Sequence, residues 1–299
     1  METLRLGLEW FLNPDHLPFL VARAKGWLDD AGLALELVEP QQHLDAADAI
    51  QKGELDLAIT EPLHLVEDRA QGRAVQGFAR FLHTNGGVMT LASSGIERPR
   101  DMVGKRIQYP GSPGPGGPAI VATMIEADGG EADLDAFGRV NEGFQHTKAL
   151  ADGKADVATL AFYNFEVVEA RHLGLAPRFF ALKDWGVPDF CQLVLFTTPD
   201  RLEKKREVLT KLVRVLRRGI DFAHENPDEA RAIYFEATKT DPNDPLMSAI
   251  FAATVPCFTF DFSMSDAYYA RLAGWMKKRG LVPEAPPAYA LWTNTLAFE

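Results

Sequence analysis

Cysteine is almost missing from this chain: Cys191 and Cys257 are the two in 299 residues. They allow at most one disulfide. With no Cys-x-x-Cys and no Cys/His spacing of the zinc-holding kind, no structural metal site is expected. No run of roughly eighteen apolar residues occurs, so nothing reads as a transmembrane segment. The N-terminus shows no secretory leader. Leu4-Arg5-Leu6-Gly7-Leu8 instead alternates like a strand almost from Met1. That leaves two locations: cytoplasmic if Met1 is the native start, periplasmic if a leader was trimmed and Met1 added. Cations are outnumbered, 31 Lys and Arg against 42 Asp and Glu for a net charge of −11, which argues against nucleic acid or an anionic membrane as the main partner. The basic runs Lys204-Lys205-Arg206 and Lys277-Lys278-Arg279 fall in amphipathic helical stretches and read as solvated faces. No Gly-x-Ser-x-Gly elbow, His-Glu-x-x-His, Ser-x-x-Lys or paired-carboxylate signature is present.

What remains is an ordinary globular composition, 46% hydrophobic and 24% charged, on a length that suits one large domain or two smaller ones. Strand patterns at Leu4–Leu8, Leu33–Leu37, Asp56–Ile59, Val88–Ala92, Arg106–Tyr109, Asp156–Leu160 and Leu193–Thr197 alternate with helical ones. Such alternation predicts an α/β fold with a mostly parallel sheet covered by helices. Asp15 is the expected cap of the first helix, whose apolar face is Leu17, Leu20, Val21 and Ala24. After Thr198 the pattern becomes helical, with long apolar stripes and Gly280 as the final C-cap. One internal match stands out. Ala49 to Ala58 resembles Ala149 to Ala158, with Gly53 and Asp56 answered by Gly153 and Asp156. Each copy reads as a helix end, a glycine turn, an aspartate and a short buried strand, which predicts two similar α/β lobes.

Four segments could carry chemistry. Glu9-Trp10-Phe11-Leu12-Asn13-Pro14-Asp15-His16 follows the first strand, at the carboxyl end where open α/β sheets bind ligands. Trp10 could stack on a flat ligand, with Glu9, Asn13 and His16 fixing its polar edge; the alternative is an ordinary loop with a core tryptophan. Tyr109-Pro110-Gly111-Ser112-Pro113-Gly114-Pro115-Gly116-Gly117-Pro118 again joins a strand to a helix. Its Gly111, Ser112, Gly114 and Gly116 suit an anionic or polar group at a helix start, although it is neither a Walker loop nor a dinucleotide fingerprint. Thr60-Glu61-Pro62-Leu63-His64 and Phe162-Tyr163-Asn164-Phe165-Glu166 occupy matching places in the two copies. Glu61, His64, Tyr163 and Asn164 are therefore candidate contacts, against the alternative of helix-face packing. In Asp184–Gln192, aromatic and acidic residues including Phe190 suit a cleft edge, and Cys191 reads as a buried, inert thiol.

Taken together, these stretches resemble the bacterial formylaminopyrimidine-binding proteins and the related fungal thiamine-pyrimidine synthases, within a wider group that binds sulfonates, nitrate and taurine. The resemblance is carried by Glu9-Trp10 through His16-Leu17-Pro18, Ala24-Lys25-Gly26-Trp27, Gly32-Leu33, Gly53-x-x-Asp56, Gly104-Lys105-Arg106-Ile107, Tyr163-Asn164-Phe165-Glu166 and Thr293-Asn294, and spans nearly the whole chain. It implies a type II periplasmic-binding-protein fold with mixed sheets and a ligand cleft between hinged lobes, one formed by 1–92 with 193–299 and the other by 93–192. It further implies a small flat polar ligand, with a thiamine-type pyrimidine as the leading candidate, and an ABC transporter permease as partner. Trp10 matches one half of an aromatic sandwich, and Tyr163 or Phe190 the other. The alternative is an enzyme of thiamine-pyrimidine or heterocycle metabolism. The fungal synthase uses pyridoxal phosphate, a lysine, a histidine and iron. His64 matches the histidine, but Thr60 stands at the lysine position and the cysteine-rich segment is reduced to Asp189-Phe190-Cys191-Gln192. No cofactor is expected on that count. Glu9 replaces a frequent asparagine, which favours an amino-bearing heterocycle.

Overall fold

The computed structural model describes residues 1–40, 45–110 and 112–298. Among the described residues ten strands are formed: β1 (Glu2–Gly7), β2 (Leu33–Val38), β3 (Leu57–Thr60), β4 (Gln76–His83), β5 (Gly86–Leu91), β6 (Arg106–Gln108), β7 (Gly138–Val140), β8 (Val157–Phe162), β9 (Pro177–Ala181) and β10 (Gln192–Thr197). They divide into two five-stranded sheets, ordered β2-β1-β3-β10-β4 and β7-β6-β8-β5-β9.

The first unit comprises Met1–His83, Gln192–Lys277 and Val282–Glu299; the second comprises Thr84–Cys191 and Lys278–Leu281. The first boundary lies earlier than the expected 92, because β5 pairs antiparallel with β8 and β9 and so belongs to the second sheet. Neither sheet is mostly parallel, as alternation alone suggested. β10 runs antiparallel to β3 and β4 in one, and β5 plays the same part in the other. The parallel core survives as β2-β1-β3 and β7-β6-β8.

The internal match is a structural repeat. In the first unit the helix Ala46–Lys52 ends at Gly53, which takes the left-handed conformation (φ 78°) that costs a glycine least. Asp56 then accepts the Arg5 backbone N–H at 2.8 Å, and the Arg5 guanidinium donates to the Gly53 carbonyl. In the second unit the helix His146–Ala151 is followed by Gly153 at φ 65°. Asp156 accepts the Arg106 N–H at 3.0 Å, and Arg106 donates to the Gly153 carbonyl at 2.7 Å. Each unit thus locks a parallel pair of strands, β1 with β3 and β6 with β8, by a matching arginine, glycine and aspartate.

The larger core belongs to the first unit. The twenty-residue helix Arg206–Glu225 buries Leu209, Leu212, Val213, Leu216 and Ile220, and it packs on the helix Leu17–Ala24. The two backbones approach closely at Gly219, where a Cβ would collide with the Pro18 carbonyl. The edge of β4 is covered by its own unit: Arg80 and Phe81 bond to Phe262 and Thr259, and Thr293 donates to the Gly77 carbonyl at 3.0 Å. Covering an edge in this way removes a template for unwanted pairing. Among the described residues no helix is long and apolar enough to cross a membrane, and Cys191 and Cys257 are not joined in a disulfide.

Candidate functional site

In an open α/β sheet the crevice for a ligand opens where the strand order reverses, at the carboxyl ends of the strands. In the first unit that point lies between β1 and β3, which are parallel neighbours with Gly7 opposite Ala58. The loops leaving it are Leu8–Asn13 and Thr60–Pro62. In the second unit the reversal lies between β6 and β8, with Gln108 opposite Ala158. The loops leaving it are the glycine-rich segment and Tyr163–Phe165. All the candidate segments but the one containing Phe190 therefore sit at the two switch points.

The first loop is held by its own polar groups. Asn13, and not Asp15, caps the 3-10 turn Pro14–His16: its Oδ1 accepts the Asp15 N–H at 2.8 Å, and its Nδ2 donates to the Phe11 carbonyl at 3.0 Å. Asn13 is fully buried, and its amide builds the loop. His16 is equally buried. Its Nδ1 accepts the Asn13 N–H at 3.2 Å, which places the proton of the neutral ring on Nε2, 3.1 Å from both Glu9 carboxylate oxygens. Burial disfavours charge on this ring, but the Glu9 carboxylate, helped by Asp15, outweighs it and raises the His16 pKa above 6.5. Trp10 is half-buried and tilted against the exposed Phe11, with ring centres 4.3 Å apart. Glu39, which sequence reasoning missed, anchors the loop by accepting the Leu12 N–H at 2.8 Å.

The second loop brings Thr60 Oγ1 within 3.1 Å of His64 Nδ1, one turn into the helix Pro62–Ala70. Between them Glu61 has one carboxyl oxygen shielded from solvent and without a hydrogen-bond partner among the described residues. Burial, then the neighbouring Glu9 and Glu67 carboxylates, push its pKa up to about 8.

In the second unit the glycine-rich loop is pinned through its carbonyls. Asn141 donates to Ser112 O at 2.9 Å, Arg139 to Pro113 O at 2.7 Å, and the Tyr109 hydroxyl to Gly114 O. Arg139 and Asn141 were not foreseen. The helix Gly116–Ala127 that follows has no side-chain cap. Gly116 has open space beside it, whereas a Cβ on Gly117 would strike the Tyr109 ring. Gly111 lies outside the described residues. Tyr163 is 39% exposed, edge-on to Phe179 and covered by Arg171, which donates to its hydroxyl at 3.2 Å. Asn164 is buried and accepts the Thr84 hydroxyl at 2.5 Å. Phe190 and Cys191 are wholly buried, with the Cys191 thiol against Gly86.

Residues 13–230 match the family model described as NMT1/THI5 like. The chain belongs to the NMT1/THI5-like family. It is 29% identical over 251 residues to a formylaminopyrimidine-binding protein of Halalkalibacterium halodurans, covering 84% of this chain and 74% of that one. It is 28% identical over 297 residues to a 4-amino-5-hydroxymethyl-2-methylpyrimidine phosphate synthase of Legionella pneumophila, covering 98% and 92%. Among solved structures it superposes on the periplasmic aliphatic sulphonate binding protein SsuA of Escherichia coli with a TM-score of 0.76 at 13% identity, covering 99% and 93%. The fold is that of the periplasmic binding proteins.

Thr60, which the resemblance sets at the lysine position of the synthases, has a hydroxyl 3.1 Å from His64 Nδ1 and carries no amine for a Schiff base. Among the described residues no cluster of three or more His, Cys, Asp or Glu side chains is arranged to hold a metal.

Proposed function

We propose that this chain is a solute-binding protein that delivers a small, flat, polar ligand, of thiamine-type pyrimidine chemistry, to an ABC-type importer. The observation that carries the proposal is the convergence at the first switch point. Two loops from adjacent parallel strands set an aromatic face, Trp10, beside a hydrogen-bonding set made of the Glu9–His16 pair, Glu61 and the Thr60–His64 pair. An aromatic platform with a few fixed polar groups is what a planar heterocycle requires. Within the second unit the counterpart loops, with Ser112, Gly114, Gly116 and Tyr163, are proposed as recognition segments for a polar group in their own right. The likeness to a formylaminopyrimidine-binding protein supports the pyrimidine class.

Native mass spectrometry of the purified protein, with release and identification of any bound molecule, tests the proposal. A stoichiometric aminopyrimidine recovered unchanged after incubation is the expected result. A pyrimidine assembled from other material during incubation would replace it with the synthase reading, which the likeness to the Legionella synthase over nearly the whole chain favours.

A further inference from the structure

Glu61 stands at the N-cap of the helix Pro62–Ala70 with an extended backbone (φ −89°, ψ 150°); its carbonyl accepts the His64 N–H, yet its side chain makes no bond to the first turn. Elsewhere the side chains of Asp45, Thr198 and Asp244 do accept such bonds. The Glu61 carboxyl serves something other than its own helix. Its Oε1 is shielded from water and bonds to nothing among the described residues. A buried polar atom left this way costs about 1–3 kcal/mol, and a buried unpaired charge costs far more.

Among the described residues the groups around it supply no counter-charge; His64, on the first turn of the same helix, is engaged with Thr60. Glu9 faces it from the loop after β1 with His16 already bonded to that carboxylate, and Glu67 lies on its own helix. Of the elements packed on that helix, β10 carries no ionisable side chain. β4 carries His83 and Arg80, the latter turned to Asp261 and Gln192, and the helix Ala288–Leu291 carries the exposed Tyr289. Two acids and burial therefore favour the uncharged form of Glu61.

A neutral carboxyl group carries one O–H donor and one acceptor on neighbouring oxygens, whereas a carboxylate only accepts. Donor beside acceptor complements an amidine edge, a ring nitrogen next to an exocyclic amino group. We infer that Glu61 is the specificity-determining residue of this site, acting as a carboxylic acid that donates to a ring nitrogen and accepts from the adjacent amino group of a neutral amino-heterocycle. The inference rests on the solute-binding proposal above. It adds a discrimination: an analogue with hydrogen in place of the amino group leaves the accepting oxygen of the buried carboxyl unpaired and is bound more weakly.

The test is calorimetric titration with 4-amino-5-hydroxymethyl-2-methylpyrimidine between pH 6 and pH 9.5, on the wild type, Glu61→Gln and Glu61→Ala. The wild-type affinity is expected to fall on the order of tenfold or more as the acid ionises above pH 8. Glu61→Gln, whose amide keeps a donor beside an acceptor, is expected to bind within about threefold of wild type at pH 7 and to lose that pH dependence. Glu61→Ala is expected to bind at least about tenfold more weakly. The ligand's own titration is common to all three proteins and cancels in their ratios. Affinity that rises with pH, together with a large loss in Glu61→Gln, would overturn the inference in favour of a carboxylate holding a cation. Wild-type binding with Glu61→Ala unaffected would remove Glu61 from the site and leave the solute-binding proposal standing. A folded wild type that binds no aminopyrimidine at any pH would sink the pyrimidine proposal and this inference with it.

Discussion

The imidazole Nε2 of His16 lies 3.1 Å from both carboxylate oxygens of Glu9, while its Nδ1 accepts the Asn13 backbone N–H. The pair closes the loop after β1 into a ring of hydrogen bonds that ends at a half-exposed acid. Since Glu9 overcomes the burial that would otherwise lower the His16 pKa, Glu9→Gln should drop that pKa below 6.5, measured by NMR titration of the ring. The sign for stability follows from the raised native pKa. In the wild type the pairing contribution is fully present below pH 6.5 and fades as pH rises through the native value. Glu9→Gln should therefore cost roughly 1–3 kcal/mol at pH 5.5 and less at pH 8.5 in denaturant titrations.

Glu61 shifts stability with pH in the same direction, through burial in place of pairing. Its native pKa of about 8 exceeds the ordinary glutamate value of 4.5, so the native state holds a proton that the unfolded chain releases across that window. The ligand-free protein is thereby destabilised progressively from pH 4.5 to pH 8. Glu61→Gln removes the penalty. It should leave stability unchanged near pH 4 and raise it by roughly 2–5 kcal/mol at pH 9. Thermal melts of both proteins across that range check this, and a gap that does not widen with pH would mean that Glu61 is charged in the native state.

Trp10 offers the aromatic face at the same loop. Trp10→Ala should weaken binding of an aminopyrimidine by at least ~1 kcal/mol, about fivefold, with Trp10→Phe intermediate. Fluorescence or calorimetric titration reads the effect, and an unchanged affinity would remove Trp10 from the site.

Much of this arrangement is legible in the residues, and the parts that are not share a cause. The Gly53–Asp56 and Gly153–Asp156 turns announce themselves because a left-handed glycine and a strand-locking aspartate are local needs. The segment Glu9–His16 stands out because aromatic and polar residues crowd a strand end. By contrast β4, with Gly77, Phe78, Ala79, Phe81 and Leu82 all buried, has no polar face to alternate with, since its unit's helices and C-terminal segment cover it. β7 has three residues and β9 begins at a proline, so neither gives a periodic signal. Asn13 shows the same limit at the site. Its residue type suits a ligand contact or a cap, and the bonds to Asp15 and Phe11 that make it a cap exist only once the loop has closed. Nor does sequence reveal that Glu61 lacks a partner, because burial and the nearness of Glu9 are products of the fold.

The repeated lock, β1 to β3 and β6 to β8, supplies a test of how far the two units are alike. Asp56 accepts a backbone N–H from β1 and Asp156 one from β6, but their surroundings differ. Asp56 is 11% exposed at its side chain and lies within 3.4 Å of Arg201 and 3.1 Å of Lys205, whereas Asp156 is 28% exposed and pairs with Arg106. Burial alone would raise the Asp56 pKa, but the Arg5 N–H with Lys205 and Arg201 brings it below 3.8. The Asp156 pKa is lowered chiefly by Arg106. Both contributions are present above pH 3.8 and are lost as pH falls through the lowered native values. Replacing either aspartate by asparagine keeps the shape and removes the charge. Asp56→Asn should cost about 2–3 kcal/mol, since two partly buried cations lose their partner, and Asp156→Asn about 1 kcal/mol, since its ion pair is more exposed. Hydrogen exchange should assign the first loss to amides of β1 and β3 and the second to amides of β6 and β8. Equal losses, or losses spread evenly over both sheets, would show that the locks act on the folding of the whole chain and not on the strands they join.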